Sequence, residues 1–461
     1  MYRNYRAQNR LPAHHDSGEI IIYLRAKPSD VVYTFGLPRD EWIFGWFIAS
    51  VHAVQHIFYR FIPPLIPILV VDLGTPLWQL GLLVSIYMFA GGAFQAPMGE
   101  LSDRIDRRYI LAVSVTAMSI GYLVFAIAST VGPHVPVVEL FEYRFTGTYL
   151  LMSLGMFIAG VGYSGIHPVG YPLISANVSP ENKGKVLGMW GSASKTGDAV
   201  APLLVGVLVL VLAWEWIVVV VALLGFVYAA GCLILIRRGG YETRPATSTE
   251  NGDGELALRS EPRRFLFPIV VILAFFLCLL FAGNGLLTFA PLFVSDVYGY
   301  SVSIASFELG PESVGNFYFG ALLISAAVSQ LVSGAVTDRY DHRTVIVSYL
   351  AVSTACLAVL ATVSLSPLSL LLTFAVLGGT LYGINPARDA LISDISPDAY
   401  EGRTFGYVFT IALIGSSAFP AVIGYLADVF GIRWSFGVLA AGTAIGVLTV
   451  GLLYSPHVYI N

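Results

Sequence analysis

Twelve apolar stretches, each near the roughly 20 residues that cross a bilayer core about 30 Å thick, run through the sequence. In hydrocarbon every backbone N–H and C=O must be paired within the protein, so stretches of this length fold as helices. Their approximate bounds are 42–71, 78–98, 109–131, 147–178, 186–211, 214–237, 265–292, 313–336, 344–364, 369–394, 404–429 and 434–455. Of the 461 residues, 56% are hydrophobic and only 12% charged, against about 25% charged in a soluble domain. The expected fold class is all-α integral membrane, with twelve transmembrane helices.

Charge placement sets the orientation. Of the 25 Lys and Arg residues, twenty fall in the N-terminal tail, the central linker and the loops on that same side. Arg144 and Arg433 lie opposite, and Arg60, Lys195 and Arg388 lie within helices. Positive charge concentrates on the cytoplasmic side, so both termini are expected in the cytoplasm of a multi-pass plasma membrane protein. Residues 1–41 read as a polar cytoplasmic tail without the apolar core of a cleavable signal, which leaves the first helix as the insertion signal. Residues 237–264, "RRGGYETRPATSTENGDGELALRSEPRR", read as a flexible linker. Taken as 239–264, it divides a six-helix half at 42–238 from another at 265–456. A net charge of -4 without a basic patch gives no reason to expect a nucleic-acid partner. Cys232, Cys278 and Cys356 sit singly in apolar segments and read as small core residues, and no cofactor is expected.

The halves repeat one another. "MGELSDRIDRRYIL" from 98 is echoed by "SGAVTDRYDHRTVI" from 333, which sets Asp103 over Asp338 and Arg104 over Arg339. "GIHP" at 165–168 is echoed by "GINP" at 383–386, and Pro202 falls over Pro420. Parallel six-helix repeats are the signature of a transporter architecture whose site lies between the halves, near the midplane.

With these motifs the chain resembles the major facilitator superfamily. The superfamily's loop pattern G-x-L-x-D-R-x-G-R-R is matched by Gly99, Leu101, Asp103, Arg104, Arg107 and Arg108, with Asp106 in place of its second glycine. The second copy keeps Gly334, Asp338, Arg339 and Arg343, and departs at His342. A narrower likeness is to the fosmidomycin-resistance branch of efflux proteins. "VHAVQHIFYRFIPPLIP" keeps His52, Pro63, Pro64 and Pro67, with Gln55 and His56 where that branch has Asn and Asp. "GIHP" and "NKGKVLGMWGSASKTGDAVAPL" are similar to its fourth and fifth helices, and Gly197 and Pro202 resemble the glycine-rich antiporter motif. The resemblance implies alternating access and favours export.

Polar residues inside helices are the candidate site. A lone charge at mid-membrane costs at least about 2.5 to 3.5 kcal/mol, so it faces the bundle interior or a wet cavity. Lys195 and Asp198 share one helical face and stand either as a neutral structural pair or as a cavity pair in which Asp198 exchanges a proton. Their repeat equivalents are Leu413 and Ser416. His52, His56 and Arg60 follow at four-residue steps, a stripe suited to a proton route, though each could instead bond a neighbouring helix or reach for the interface. His52 and His56 alone do not make a metal site, since no third ligand is indicated, and none is assigned. In "GINPARDALISD", Arg388 offers a fork for an anion, and adjacent Asp389 should have another partner because neighbouring helical residues point about 100° apart. Asn385, His167 and Asn284 are buried polar groups that serve as helix glue or as ligands. Gly99, Asp103, Arg104, Arg107, Arg108, Asp338, Arg339 and Arg343 are expected to form a cytoplasmic gate, since an acid is favoured at a helix N-terminus.

No metalloprotease, nucleophile-elbow or phosphate-loop pattern is present, so an enzyme is not expected. The expected function is a secondary active transporter, a proton-coupled antiporter that exports small anionic or amphiphilic compounds and works as a monomer. The alternative is an importer or facilitator of an organic anion without net proton coupling.

Overall fold

The computed structural model describes residues 33–34, 36–245, 262–304, 307–395 and 401–454. Most of the expected tail and residues 246–261 of the expected linker lie outside these. The membrane-crossing helices are α1 (Arg39–Leu73), α2 (Leu77–Ser102), α3 (Arg107–His134), α4 (Gly147–Asn177), α5 (Lys183–Leu208) and α6 (Trp214–Gly239). A second set follows: α7 (Phe267–Val297), α8 (Pro311–Thr337), α9 (His342–Thr362), α10 (Pro367–Ile395), α11 (Tyr407–Phe430) and α12 (Ile432–Tyr454). Eleven are apolar enough to span by composition alone. The exception is α5, whose 26 residues reach about 39 Å but carry the Lys195 and Asp198 charges.

The same pairings recur in each set of six. α4 lies between α2 and α3, and α6 lies along α3; likewise α10 lies between α8 and α9, and α12 lies along α9. Helix breaks recur too: α4 is interrupted at Gly165 and α10 at Ile384, beside the repeated "GIHP" and "GINP". A proline three residues past the first break and two past the second, Pro168 and Pro386, removes one ladder donor and loosens the turn before it.

Not all of the expected linker is loose. Tyr241 packs parallel to Phe47 and tilted against Phe44, the Arg107 N–H donates to the Thr243 carbonyl at 3.0 Å, and Asn177 exchanges two hydrogen bonds with the Glu242 backbone. Composition suggested a flexible segment from 237, but these side-chain partners hold its first residues against the base of the bundle.

The two sets meet through α2 with α11 and α5 with α8. We call the end holding the start of α1 the near face. The tight contacts lie at the far face. Asp428 of α11 accepts from the first two N–H groups of α2, Leu77 and Trp78, at 2.9 and 2.8 Å. In return Ser85 of α2 accepts from the Ala421 N–H of α11 at 3.2 Å. α11 is interrupted after Ser416 and restarts at Phe419, so the start of α2 and this restart are each satisfied by the opposite half, which replaces the usual local cap. Glycine permits the approach: a Cβ at Gly81 would collide with the Pro420 carbonyl, and one at Gly424 with the Leu77 carbonyl. Asn316 of α8 donates to the Pro64 carbonyl of α1 at 3.1 Å.

Towards the near face the halves part. A Cβ at Gly184, Gly188 or Gly191 of α5 would meet nothing within 4 Å, and a cleft of about 470 Å³ opens between α5, α8 and α10. The molecule is closed at the far face and open at the near one. Gly424→Val should force α2 from α11, because overpacking is not absorbed by backbone contacts. Electron-resonance distances between labels at Thr75 and Phe430 should lengthen in that variant. They should not change in Gly231→Val, where an added Cβ meets nothing.

Candidate functional site

The expected Lys195–Asp198 pair forms, but it is the loosest of three contacts to Asp198. Lys195 Nζ stands 3.6 Å from Oδ2, whereas Arg60 Nε and His56 Nδ1 both donate to Oδ1 at 3.0 Å. The carboxylate is almost fully buried. The α1 stripe therefore answers the α5 charge: His56 and Arg60 lie one turn apart, and the bend of α1 just past Tyr59 leaves Arg60 at the helix end. Arg60 does not reach for the interface; its guanidinium lies over the Tyr59 ring at 4.2 Å. Gly197 brings α5 so close that a Cβ there would strike the Ala53 carbonyl of α1.

Below this cluster runs a chain of neutral donors and acceptors. His52 Nδ1 donates to the Trp190 carbonyl at 2.7 Å, and its ring stacks on Trp190 at 4.0 Å. His52 Nε2 and His167 Nε2 are 3.2 Å apart. The Gln55 amide donates to the Tyr163 carbonyl at 2.9 Å and reaches His167 Nδ1 at 3.3 Å. The fold thus supplies the third imidazole that sequence spacing did not indicate: ligand atoms of His52, His56 and His167 lie within 4.8 Å of one another. Because the Gln55 N–H points at His167 Nδ1, the ring's proton sits on Nε2, aimed at His52. His52 and His167 are hydrogen-bonded to each other and His56 to Asp198, rather than the three presenting converging lone pairs.

Across the interface, Arg388 pairs with adjacent Asp389, Nε at 2.8 Å and Nη2 at 2.7 Å, and Nη1 donates to Asn385 at 2.9 Å. This corrects the expectation that the neighbours point apart: the long arginine arm folds back along the helix far enough to close the gap. Phe276 and Phe409 flank the guanidinium at 4.5 and 5.0 Å. Asn284 donates to the Ser416 carbonyl at 3.4 Å. A central cavity of about 170 Å³ is lined by Arg60 and Lys195 on one side and Asn284, Asn385, Arg388 and Ser416 on the other. Lys195 and Asn385 also line the near-face cleft. Tyr59 and Tyr382, which the sequence did not single out, complete the cavity wall; as aromatics in apolar segments they carry no pattern that separates them from core.

The loop residues form ion pairs within each half. Arg107 approaches Asp103 at 3.9 Å, Arg108 meets Asp106 at 3.0 Å and Arg343 meets Asp341 at 2.7 Å, while Arg104, Asp338 and Arg339 are exposed. The helix-starting acids are Asp106 and Asp341, which cap α3 and α9; Asp103 and Asp338 end the preceding helices. Asp106 and Asp341 are repeat equivalents, so the departure from glycine at 106 is a cap. The Arg343 hydrogen bond holds the Asp341 carboxyl below its ordinary range.

Two six-helix repeats around a charged cavity open to one face are an architecture found among transporters. The chain belongs to the Major Facilitator Superfamily, whose model matches residues 48–322 and 305–459. It is similar to a probable L-galactonate transporter of Escherichia coli K12, 26% identical over 58% of this chain and 55% of that protein. The match thus spans about half the length of that relative. It is also similar to a hexuronate transporter of Bacillus subtilis 168, 23% identical over 81% of this chain and 85% of that one. A bacterial homolog of the human lysosomal transporter Spinster, solved inward-facing and occupied, shares the fold with a TM-score of 0.71 at 15% identity, over 89% of this chain and 96% of that one.

Asp198→Asn should destabilise the protein by about 3 kcal/mol or more, because it leaves Arg60 buried without its counterion. Adding Arg60→Met should recover much of the loss, read by thermal unfolding of both variants in detergent.

Proposed function

We propose that this chain is a proton-coupled transporter of small organic anions of the sugar-acid class. The carrying observation is the charge balance at the cavity: Asp198 faces two cations, Arg60 and Lys195, and one positive charge is left for an anion to neutralise. Arg388 presents a planar fork from the other half, where a substrate carboxylate would take the place of the Asn385 oxygen. Asn284, Asn385 and Ser416 suit the hydroxyls of a polyol chain. The substrates named for the two relatives are of this chemistry.

Asp198 exchanges the coupled proton with His56, Lys195 holds either its charge or the substrate's, and His52 and His167 extend the route. Asp389 returns Arg388 to its resting partner when the substrate leaves. Gly99, Asp103, Arg104, Arg107 and Arg108, with Asp338, Arg339 and Arg343, act as a cytoplasmic gate, open here. The twenty basic residues that the sequence puts in the tail, the linker and the loops on their side support a plasma membrane protein with both termini in the cytoplasm, and hence an inward-facing state. The working unit is a monomer.

A second reading, export of phosphonates such as fosmidomycin, is supported by the Gly197 and Pro202 pattern of α5 and by the likeness of α1, α4 and α5 to that efflux branch. A phosphonate meets the same three cations.

Vesicles carrying the protein decide between them. Labelled glucuronate should show saturable flux driven by an imposed pH gradient, lost in Asp198→Asn. Arg388→Lys should raise KM about tenfold, since the bidentate fork is lost. Fosmidomycin accumulation in everted vesicles without glucuronate flux selects the second reading, and no anion flux at all overturns both.

A further inference from the structure

Gln55 is fully buried on α1, between the histidine pair and the break in α4. Its amide nitrogen serves both sides, donating to the Tyr163 carbonyl at 2.9 Å and to His167 Nδ1 at 3.3 Å. Its oxygen, Oε1, is buried without a partner among the described residues. A buried amide oxygen left unpaired is costly and is retained where a second state uses it.

Donor and acceptor rules fix the direction of the chain. A carbonyl only accepts, so His52 carries its proton on Nδ1, towards Trp190, and its Nε2 holds a lone pair. The amide nitrogen only donates, so His167 carries its proton on Nε2, towards His52. Both rings are neutral, each in one tautomer. An added proton has one place outside the bond between the two rings, the lone pair on His167 Nδ1 that now accepts from the Gln55 amide. Once it is filled, the amide nitrogen can no longer face that atom and the unpaired Oε1 can. The amide then has to turn, and the Tyr163 carbonyl loses its donor.

The geometry points to Gln55 as a positioning residue that reports the proton load of the His52–His167 pair to the break in α4. In the loaded pair, His167 Nδ1–H donates to Gln55 Oε1, one proton is shared between the two Nε2 atoms, and His52 Nδ1–H still donates to Trp190. The groups left over are the Tyr163 carbonyl, one residue before the first segment of α4 ends at Ser164, and the amide N–H groups that donated to it and to His167. Unloaded, the amide ties that turn of α4 to α1; loaded, it lets go. The titratable and charged groups around the pair are His56, Arg60 and Asp198 towards the cavity, Lys195 on α5, and Tyr163 and Tyr171 on α4.

This rests on the proton-coupled reading, but its first test needs no substrate. Nitrogen-15 spectra of histidine-labelled protein in bilayers at alkaline pH should show His52 protonated at Nδ1 and His167 at Nε2, assigned by single His→Gln variants. The opposite tautomer at His167 overturns the inference whatever the flux assays give. Gln55→Glu, a near-isosteric change, replaces the donor by a second acceptor. It should bring the His167 Nδ1–H signal up at a pH about one unit or more higher than in wild type, as an adjacent opposite charge does. The pH profile of glucuronate flux should move the same way. An unmoved His167 titration overturns the inference, whereas a moved titration with no flux in wild type leaves it standing and removes the transport reading.

Discussion

Asp198 is the charge on which the rest of the interior depends. A carboxylate taken out of water has to be met by cations and hydrogen bonds, or the segment carrying it does not stay in the membrane. Its partners come from two helices, Arg60 and His56 on α1 and Lys195 on its own. That requirement explains why α1 and α5 approach as closely as Gly197 allows and why α1 bends where it does. It also explains how two further cations are tolerated at the membrane centre.

The repeat is a backbone fact more than a chemical one. Helix pairings, the breaks at Gly165 and Ile384, and the caps at Asp106 and Asp341 are held in common. The charges are not. Where α5 has Lys195 and Asp198, α11 has Leu413 and Ser416, and the second half places its charges on α10 instead. Symmetry suffices to let two halves rock about a shared seam, while a cavity that recognises one asymmetric ligand has to be built differently on its two sides.

Much of this was legible in the sequence because lipid imposes a length and an apolarity on every crossing segment. The helix bounds agree with the structure to within a few residues, even for α5, whose charges lower its hydropathy. The stripe of His52, His56 and Arg60 and the pair on α5 were both visible as periodic polar positions. Their meeting was not, because spacing along one helix carries no information about the face of another. Asp428 escaped notice for a related reason: a single acid near a helix end reads as an interfacial residue until the N-terminus it caps, 350 positions away, is seen. Arg388 misled in the opposite sense, since helical angles describe Cβ directions and a long side chain can ignore them.

The reciprocal caps at the far face make closure there depend on main-chain donors of α2 and α11. When the halves separate at that end, the Leu77, Trp78 and Ala421 N–H groups lose Asp428 and Ser85 together. The start of α2 and the restart of α11 at Phe419, each the positive end of a peptide dipole, would then be uncovered. The rim that shuts the molecule would then offer a solute on that side unpaired N–H donors from one half and the freed Asp428 carboxylate from the other.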